Sequence, residues 1–344
     1  TGLGLEGHAD NGYCVKVPGS FSYKLAKELG VDYAALGQDG LRVEDLRYIL
    51  DETYAPDEYT LAKFSDVSEY RETFKAEIEK ADLVTIGIGS NNFTSYVTAQ
   101  INRILSGKAT YEMDWSRFVS KEGVPAVEKV LETIKAELVK AGMDTEIALG
   151  GSTVNTADAV TKLIECYAYG YAGFAFNYAE VFNKVHEINP EALVVVVGGY
   201  NTLDELNIDL GNGEIAVGDY LDKFLALIDI HFTAYAMMTP NTTYVTVPET
   251  ETIFDANTAD KEVEIDDYLL AMITDNGKAM HASDAGHTYI KNRIYDSLIK
   301  KETVNGFWLE SDSWKFTGKE IRPLVLNRFG YVEGYDFNVE YVNN

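Results

Sequence analysis

Apolar residues in this chain follow two rules that alternate along its length, helical spacing in some segments and short unbroken runs in others. Residues 20–29 (SFSYKLAKEL) put Phe21, Leu25, Ala26 and Leu29 on one face, and Gly30 is placed to end the helix. Residues 31–36 then read as a short strand, followed by the loop Gly37-Gln-Asp-Gly40 and a helix over 42–50. Residues 65–80 predict a helix, 83–88 a strand, and the stretch from Tyr96 to Leu105 another helix. Over 122–140, Val124, Val127, Val130, Leu131, Ile134 and Leu138 form one stripe opposite alternating charges.

Residues 158–189 predict a long helix whose Tyr167, Tyr171, Phe174 and Tyr178 read as core packing. The β-branched run 192–197 (ALVVVV) has the length and composition of a buried parallel strand, closed by Gly198-Gly199-Tyr200-Asn201. Residues 202–217 read as a loop or small excursion, 220–236 as a helix and 243–247 as a strand. A last helical pattern runs through Ile294 and Leu298. Strands alternating with helices imply right-handed crossovers and a doubly wound parallel α/β sheet covered on both faces. The domain expected over 1–302 is followed by a β-rich or irregular extension, 303–344, with Tyr331, Tyr335, Phe337 and Tyr341 in alternation.

Charge narrows the list of partners. Against 29 Lys and Arg stand 55 Asp and Glu, a formal net charge of −26 that repels nucleic acid and anionic membranes. No apolar run reaches the length of a membrane span. Cys14 and Cys166 lie far apart, without His or Cys at metal-ligand spacing, so no metal site and no cofactor is expected. Thr1 in place of Met makes the chain a mature, cleaved or partial product, and any export signal would have gone with the start.

Chemistry belongs where an apolar strand stops at polar residues, because open α/β sheets bind ligands at the carboxyl ends of their strands. Residues 81–93 (ADLVTIGIGSNNF) do this most clearly, delivering Asn91 after a strand. The amide of Asn91 and the backbone N–H of Gly40 are the pair of donors an oxyanion hole needs, although an Asn here also suits an N-cap. His281, ahead of the last helix, is the candidate general base. Ser20 and Ser22 read as helix caps, and no Gly-x-Ser-x-Gly elbow is present.

The order SFSYKLAKEL, YAALGQDGLRVEDL, ADLVTIGIGSNNF, ALVVVVGGYN, MHASDAGHTYIKNRI resembles the SGNH or GDSL-like hydrolases over residues 1–302. The resemblance implies a three-layer, flavodoxin-like sheet, and an esterase or lipase working through a Ser-His(-Asp) acyl-enzyme on a carbohydrate or small lipid-like ester. It assigns Gly40 and Asn91 to the oxyanion hole and His281 to the base. The family's nucleophilic serine sits at the end of a first, central strand, in a block that would stand just upstream of Thr1. Its acid usually stands three residues before the histidine; this chain has Lys278 there, Asp275 being the nearest upstream carboxylate, while Asp284 stands three before His287. Such relatives are often exported, so an extracellular or cell-envelope location is expected, with the cytoplasm as the alternative. Two rivals remain at this level: a catalytically degenerate binding or structural module, and a flavodoxin-like nucleotide or flavin binder.

Overall fold

A computed structural model of the chain describes residues 16–38, 40–64, 67–106, 108, 111–149, 152–201, 207–209, 214–247, 282–299, 307–309 and 325–327. It divides into two compact units, Thr1–Asn292 and Arg293–Asn344. The first holds, in order, α1 (Phe21–Leu29), α2 (Val43–Leu50), α3 (Glu58–Lys63), α4 (Ser68–Glu79), β1 (Leu83–Gly87), α5 (Ser90–Leu105), α6 (Val124–Lys140), β2 (Glu146–Leu149), β3 (Ser152–Asn155), α7 (Thr156–Ile188), β4 (Leu193–Val197), β5 (Asn207–Asp209), β6 (Glu214–Ala216), α8 (Val217–Met238) and β7 (Thr242–Val245). Helix α9 (Asp284–Ile299) begins in this unit and runs across the boundary. In the second unit β8 (Phe307–Leu309) pairs antiparallel with β9 (Val325–Asn327).

The architecture is mixed α/β around a small parallel sheet of three strands in the order β1-β4-β7. Leu83 to Gly87 lie in register with Leu193 to Val197, and Val194 to Val197 with Thr242 to Val245. Strand β4 is central, and Val194 to Val197 are buried on both sides, which is why its sequence shows no alternation. Two antiparallel pairs, β2-β3 and β5-β6, stand apart from this sheet.

Local chemistry sets the helix ends. The Ser20 hydroxyl accepts the Tyr23 N–H at 3.3 Å to open α1, and Gly30 closes it in the left-handed region at φ 69°. Asp57 caps α3 by accepting the Thr60 N–H at 2.7 Å, and Asn155 caps α7 through the Asp158 N–H. Helix α7, 33 residues and about 50 Å long, is the spine of the unit. Its face of Phe174, Val181, Phe182 and Val185 packs with Ile49, Phe93, Val194, Val196, Ile228 and Phe232 into one apolar core. The tyrosine and phenylalanine stripe read from the sequence as core packing is part of it: Phe174 stacks on Tyr178 at 5.4 Å and meets Phe232 edge-on at 5.2 Å.

The structure departs from these expectations at several points. Residues 31–36 are extended but enter no ladder, so the strand expected there is not formed, since no described strand lies beside it to share its hydrogen bonds. Helix α3 and the β2-β3 pair were not legible, the first being only 6 residues long and the second two strands of 4. Helix α5 starts at Ser90, well before Tyr96. Cys166 is buried as a free thiol, its pKa pushed up to about 12 by burial; Cys14 and the aromatics of the C-terminal extension lie outside the described residues. No helix among the described residues is long and apolar enough to cross a membrane.

Candidate functional site

The carboxyl end of β1 brings two of the residues singled out above, Gly40 and Asn91, together. Strand β1 ends at Gly87, and Gly89 turns the chain into α5 at φ 125°, with room for no side chain because a Cβ would come 3.0 Å from the Phe174 ring. Asn91 therefore sits in the first turn of α5. Its Nδ2 donates to the Leu41 carbonyl at 3.2 Å, one residue past Gly40. Gly40 has φ 65°, and the Leu41 N–H returns to the Gln38 carbonyl at 3.3 Å, so the strand-like segment turns sharply at this glycine. Gly40 and Asn91, separated by some fifty residues, are thus brought side by side.

The next strand adds its own turn. Gly198 N–H bonds the Val245 carbonyl at 2.8 Å, and a Cβ on Gly199 would lie 3.0 Å from the Leu225 side chain and 4.0 Å from the Ser90 hydroxyl. Tyr200 then reaches away from β4, and its hydroxyl accepts the Ala282 N–H at 3.1 Å. Burial raises that phenol to about 12, leaving it a neutral hydrogen-bonding group. His281 and Asp275 lie outside the described residues, while Ala282, the neighbour of His281, is tied to the rim through Tyr200.

The alternative pairing of Asp284 with His287 is not formed. The carboxylate of Asp284 binds Lys24 at 2.8 Å, and Nδ1 of the buried His287 accepts the Phe21 backbone N–H at 3.2 Å. An acid orienting a catalytic imidazole would have to occupy that same Nδ1. His287 anchors α9 to the start of α1, together with Lys24 and Thr288 at 2.6 Å.

Directly beneath the Gly40 turn lies a buried polar cluster that sequence reasoning missed. The guanidinium of Arg42 is fully buried and meets Asp45 at 2.7 Å, Glu44 at 3.1 Å, Asp57 at 3.2 Å and the Thr60 hydroxyl at 2.7 Å. It also donates to the Tyr96 hydroxyl and lies 4.4 Å from the centre of the Tyr59 ring. Tyr96 in turn donates to Asp57 at 2.6 Å. Asn92 connects this cluster to the rim: its Oδ1 accepts the Val43 N–H at 2.9 Å and its Nδ2 donates to Glu44 at 2.5 Å. The starts of α2 and α5, which carry Gly40 and Asn91 on their outer side, are bolted together by one buried amide.

Electrostatics sets Asp57 apart from Glu44. Burial acts to raise Asp57, but the Arg42 charge and the Tyr96 hydrogen bond outweigh it and hold its carboxyl at about 2. Glu44 moves the other way, because burial pushes it up more than Arg42 and the Asn92 amide pull it down. Helix α7 makes room for the cluster with two glycines. A Cβ at Gly173 would come 2.9 Å from Glu44 Oε1, and one at Gly170 would collide with the Asn92 carbonyl. In sequence, Arg42-Val-Glu-Asp45 looks like an ordinary acidic first turn; the pair Gly170 and Gly173 inside a long helix was the only outward sign of close approach.

Gln38, two residues before Gly40, is 2% exposed and neither polar atom of its amide has a hydrogen-bond partner. Among the described residues no group of three or more His, Cys, Asp or Glu could hold a metal ion. A cleft of about 530 Å³ between α6 and α7, lined by Glu128, Leu131, Glu132, Asp158, Lys162 and Glu165, lies on elements that carry none of the candidate residues. No protein-family model matches the chain, and the search of curated proteins gives no match.

Proposed function

We propose that this chain is the larger part of an SGNH-type serine esterase with a flavodoxin-like sheet, acting outside the cell or in its envelope on an acyl ester of a carbohydrate or small lipid-like alcohol. The observation that carries the reading is the 3.2 Å hydrogen bond from Asn91 Nδ2 to the Leu41 carbonyl, which draws the Gly40 turn and the Asn91 amide to one rim. The Tyr200 to Ala282 bond supports it by tying the segment next to His281 to the same rim. Strand β1 pairs only with β4 among the described residues, leaving an edge at which a further parallel strand could add.

In this reading a serine upstream of Thr1 attacks the ester carbonyl and His281 takes its proton. The oxygen that gains negative charge lies against the Gly40 N–H and the second N–H of the Asn91 amide. Collapse expels the alcohol with the proton from His281, and water, deprotonated by the same imidazole, releases the acid. Asp275 is the candidate to orient the histidine; with Lys278 in the usual place of the acid, a backbone carbonyl would serve otherwise.

The test is hydrolysis of p-nitrophenyl acetate by the protein extended upstream of Thr1. His281→Ala should remove turnover, and Asn91→Ala should lower kcat about 10²-fold with little change in KM. Undiminished turnover in His281→Ala defeats the reading. Lys278 favours a second one, a degenerate module that binds without cleaving, and covalent labelling by a fluorophosphonate probe rules that out.

A further inference from the structure

Asn92 is fully buried and so cannot touch an ester, yet it is held on every side. Its backbone N–H donates to the Gly89 carbonyl at 2.8 Å, closing the turn that contains Ser90 and Asn91, and its own carbonyl lies against Gly170, where a Cβ would collide. The side chain reaches the other way. Oδ1 accepts the Val43 N–H at 2.9 Å, while Nδ2 donates to Glu44 at 2.5 Å and lies 3.4 Å from the Gly170 carbonyl. The backbone donor at Val43 fixes which end of the amide is oxygen, so the nitrogen faces Glu44 and needs an acceptor there.

These bonds span the gap between the two donors assigned to the oxyanion. Asn91 precedes Asn92 by one residue, and Val43 follows Gly40 by three. Along that short run each backbone N–H is tied, Leu41 to the Gln38 carbonyl at 3.3 Å, Arg42 to Asp45 at 2.9 Å and Val43 to Asn92, whereas the Gly40 N–H has no acceptor among the described residues. The direct bond from Asn91 to Leu41 is only part-buried, so water can replace it. The Asn92 bonds to Val43 and Glu44 are buried, where a lost partner is not replaced.

We propose that Asn92 is a positioning residue for the acyl site: through Val43 and Glu44 it sets the spacing between the Gly40 N–H and the Asn91 amide at which a tetrahedral oxyanion meets both. The inference rests on the esterase reading and deepens it. A donor misplaced by about 1 Å costs up to about 10²-fold in rate. Because Asn92 makes no contact with the ester, loosening it removes transition-state stabilisation and leaves ground-state binding alone.

Hydrolysis of p-nitrophenyl acetate by the protein extended upstream of Thr1 tests this, with rates normalised to active sites titrated to completion by a fluorophosphonate, so that a smaller folded fraction cannot mimic a slower enzyme. Asn92→Asp sets a carboxylate against Glu44 and should lower kcat about tenfold with KM unchanged. Inhibition by phenylboronic acid, whose tetrahedral adduct carries the oxyanion, should weaken by a similar factor. Adding Glu44→Gln should restore both, because donor and acceptor have then only changed places between positions 44 and 92. Asn92→Ala, which adds no charge, carries the same expected loss and serves where Asn92→Asp does not fold. Full kcat in the Asn92 variants beside a loss in Asn91→Ala overturns the inference and leaves the esterase reading standing, as does a loss in Asn92→Asp that Glu44→Gln fails to restore. A parent protein without turnover or labelling, or undiminished turnover in His281→Ala, defeats the reading and the inference with it.

Discussion

The two halves of the first unit's interior solve the same burial problem by opposite means. On the α2 and α5 side, Arg42, Glu44, Asp45, Asp57, Asn92 and Tyr96 are held by directional bonds. On the α7 and α8 side, Phe174, Tyr178, Phe182 and Phe232 meet ring to ring, with no charged group among them. Aromatic packing rewards area and tolerates small shifts. A buried ion cluster contributes little net stability but has one acceptable geometry. The cluster lies under the Gly40 turn, and the aromatic layer lies along α7 and α8.

Substitutions that remove one partner should break both regions, and similar ones should separate them. Arg42→Ala leaves three buried carboxylates without a cation and is expected to cost about 3–5 kcal/mol; Phe232→Ala should cost about as much, through lost packing and a cavity. The contrast lies in the mild changes. Phe232→Leu should cost under about 1.5 kcal/mol, whereas Arg42→Lys, with no fork to hold three acids, should cost clearly more. Urea unfolding measures all four, and equal costs for the two mild changes would erase the distinction.

The carboxylates of the cluster sharpen it through pH. Asp57 is depressed from 3.8 to about 2, so its contribution is present above 3.8 and is lost as pH falls toward 2, about 2 kcal/mol in all. Glu44 is raised, so its protonated form suits the fold; that contribution is full below 4.5 and is lost as pH rises through its elevated value. Unfolding free energy followed against pH should lose its acid limb in Asp57→Asn and its upper limb in Glu44→Gln, while Phe232→Leu shifts the curve without reshaping it.

Two smaller effects probe the connection to the rim. Asn92→Asp sets a second carboxylate against Glu44 and should cost about 1–3 kcal/mol; adding Glu44→Gln should recover most of it, which a double-mutant cycle reads directly. Tyr200→Phe removes one hydrogen bond, worth about 1 kcal/mol. Its clearer mark should be faster hydrogen exchange at the Ala282 amide, and unchanged exchange there would separate Tyr200 from the His281 segment.

The sequence made the aromatic half legible and hid the ionic half. Val124, Val127, Val130, Leu131, Ile134 and Leu138 predict α6 by period alone, since none of its residues is buried, and the four valines of β4 predict a strand buried on both faces, because an unbroken branched run reports burial. Asn91 was visible as a polar residue following an apolar run, and Gly40 as a loop glycine offering its backbone N–H. Glu44 and Asn92 were not, because a buried charge looks like a solvated one until its partners, here as distant as Gly170 and Gly173, are known. The segment 31–36 misled for the opposite reason: its composition suits a strand, but a strand exists only with a neighbour.

The placement of β4 bears on how the chain reaches this state. Its two neighbours join from opposite directions along the sequence, β1 from more than a hundred positions upstream and β7 from nearly fifty downstream. Contacts so remote form late, after helices such as α6 and α7 have had time to coil. Until then four consecutive valines stand bare on a nascent polypeptide, an adhesive segment for any other unfolded copy. Crowded synthesis in a foreign host should therefore yield inclusion bodies through β4, and slower, cooler expression should relieve them.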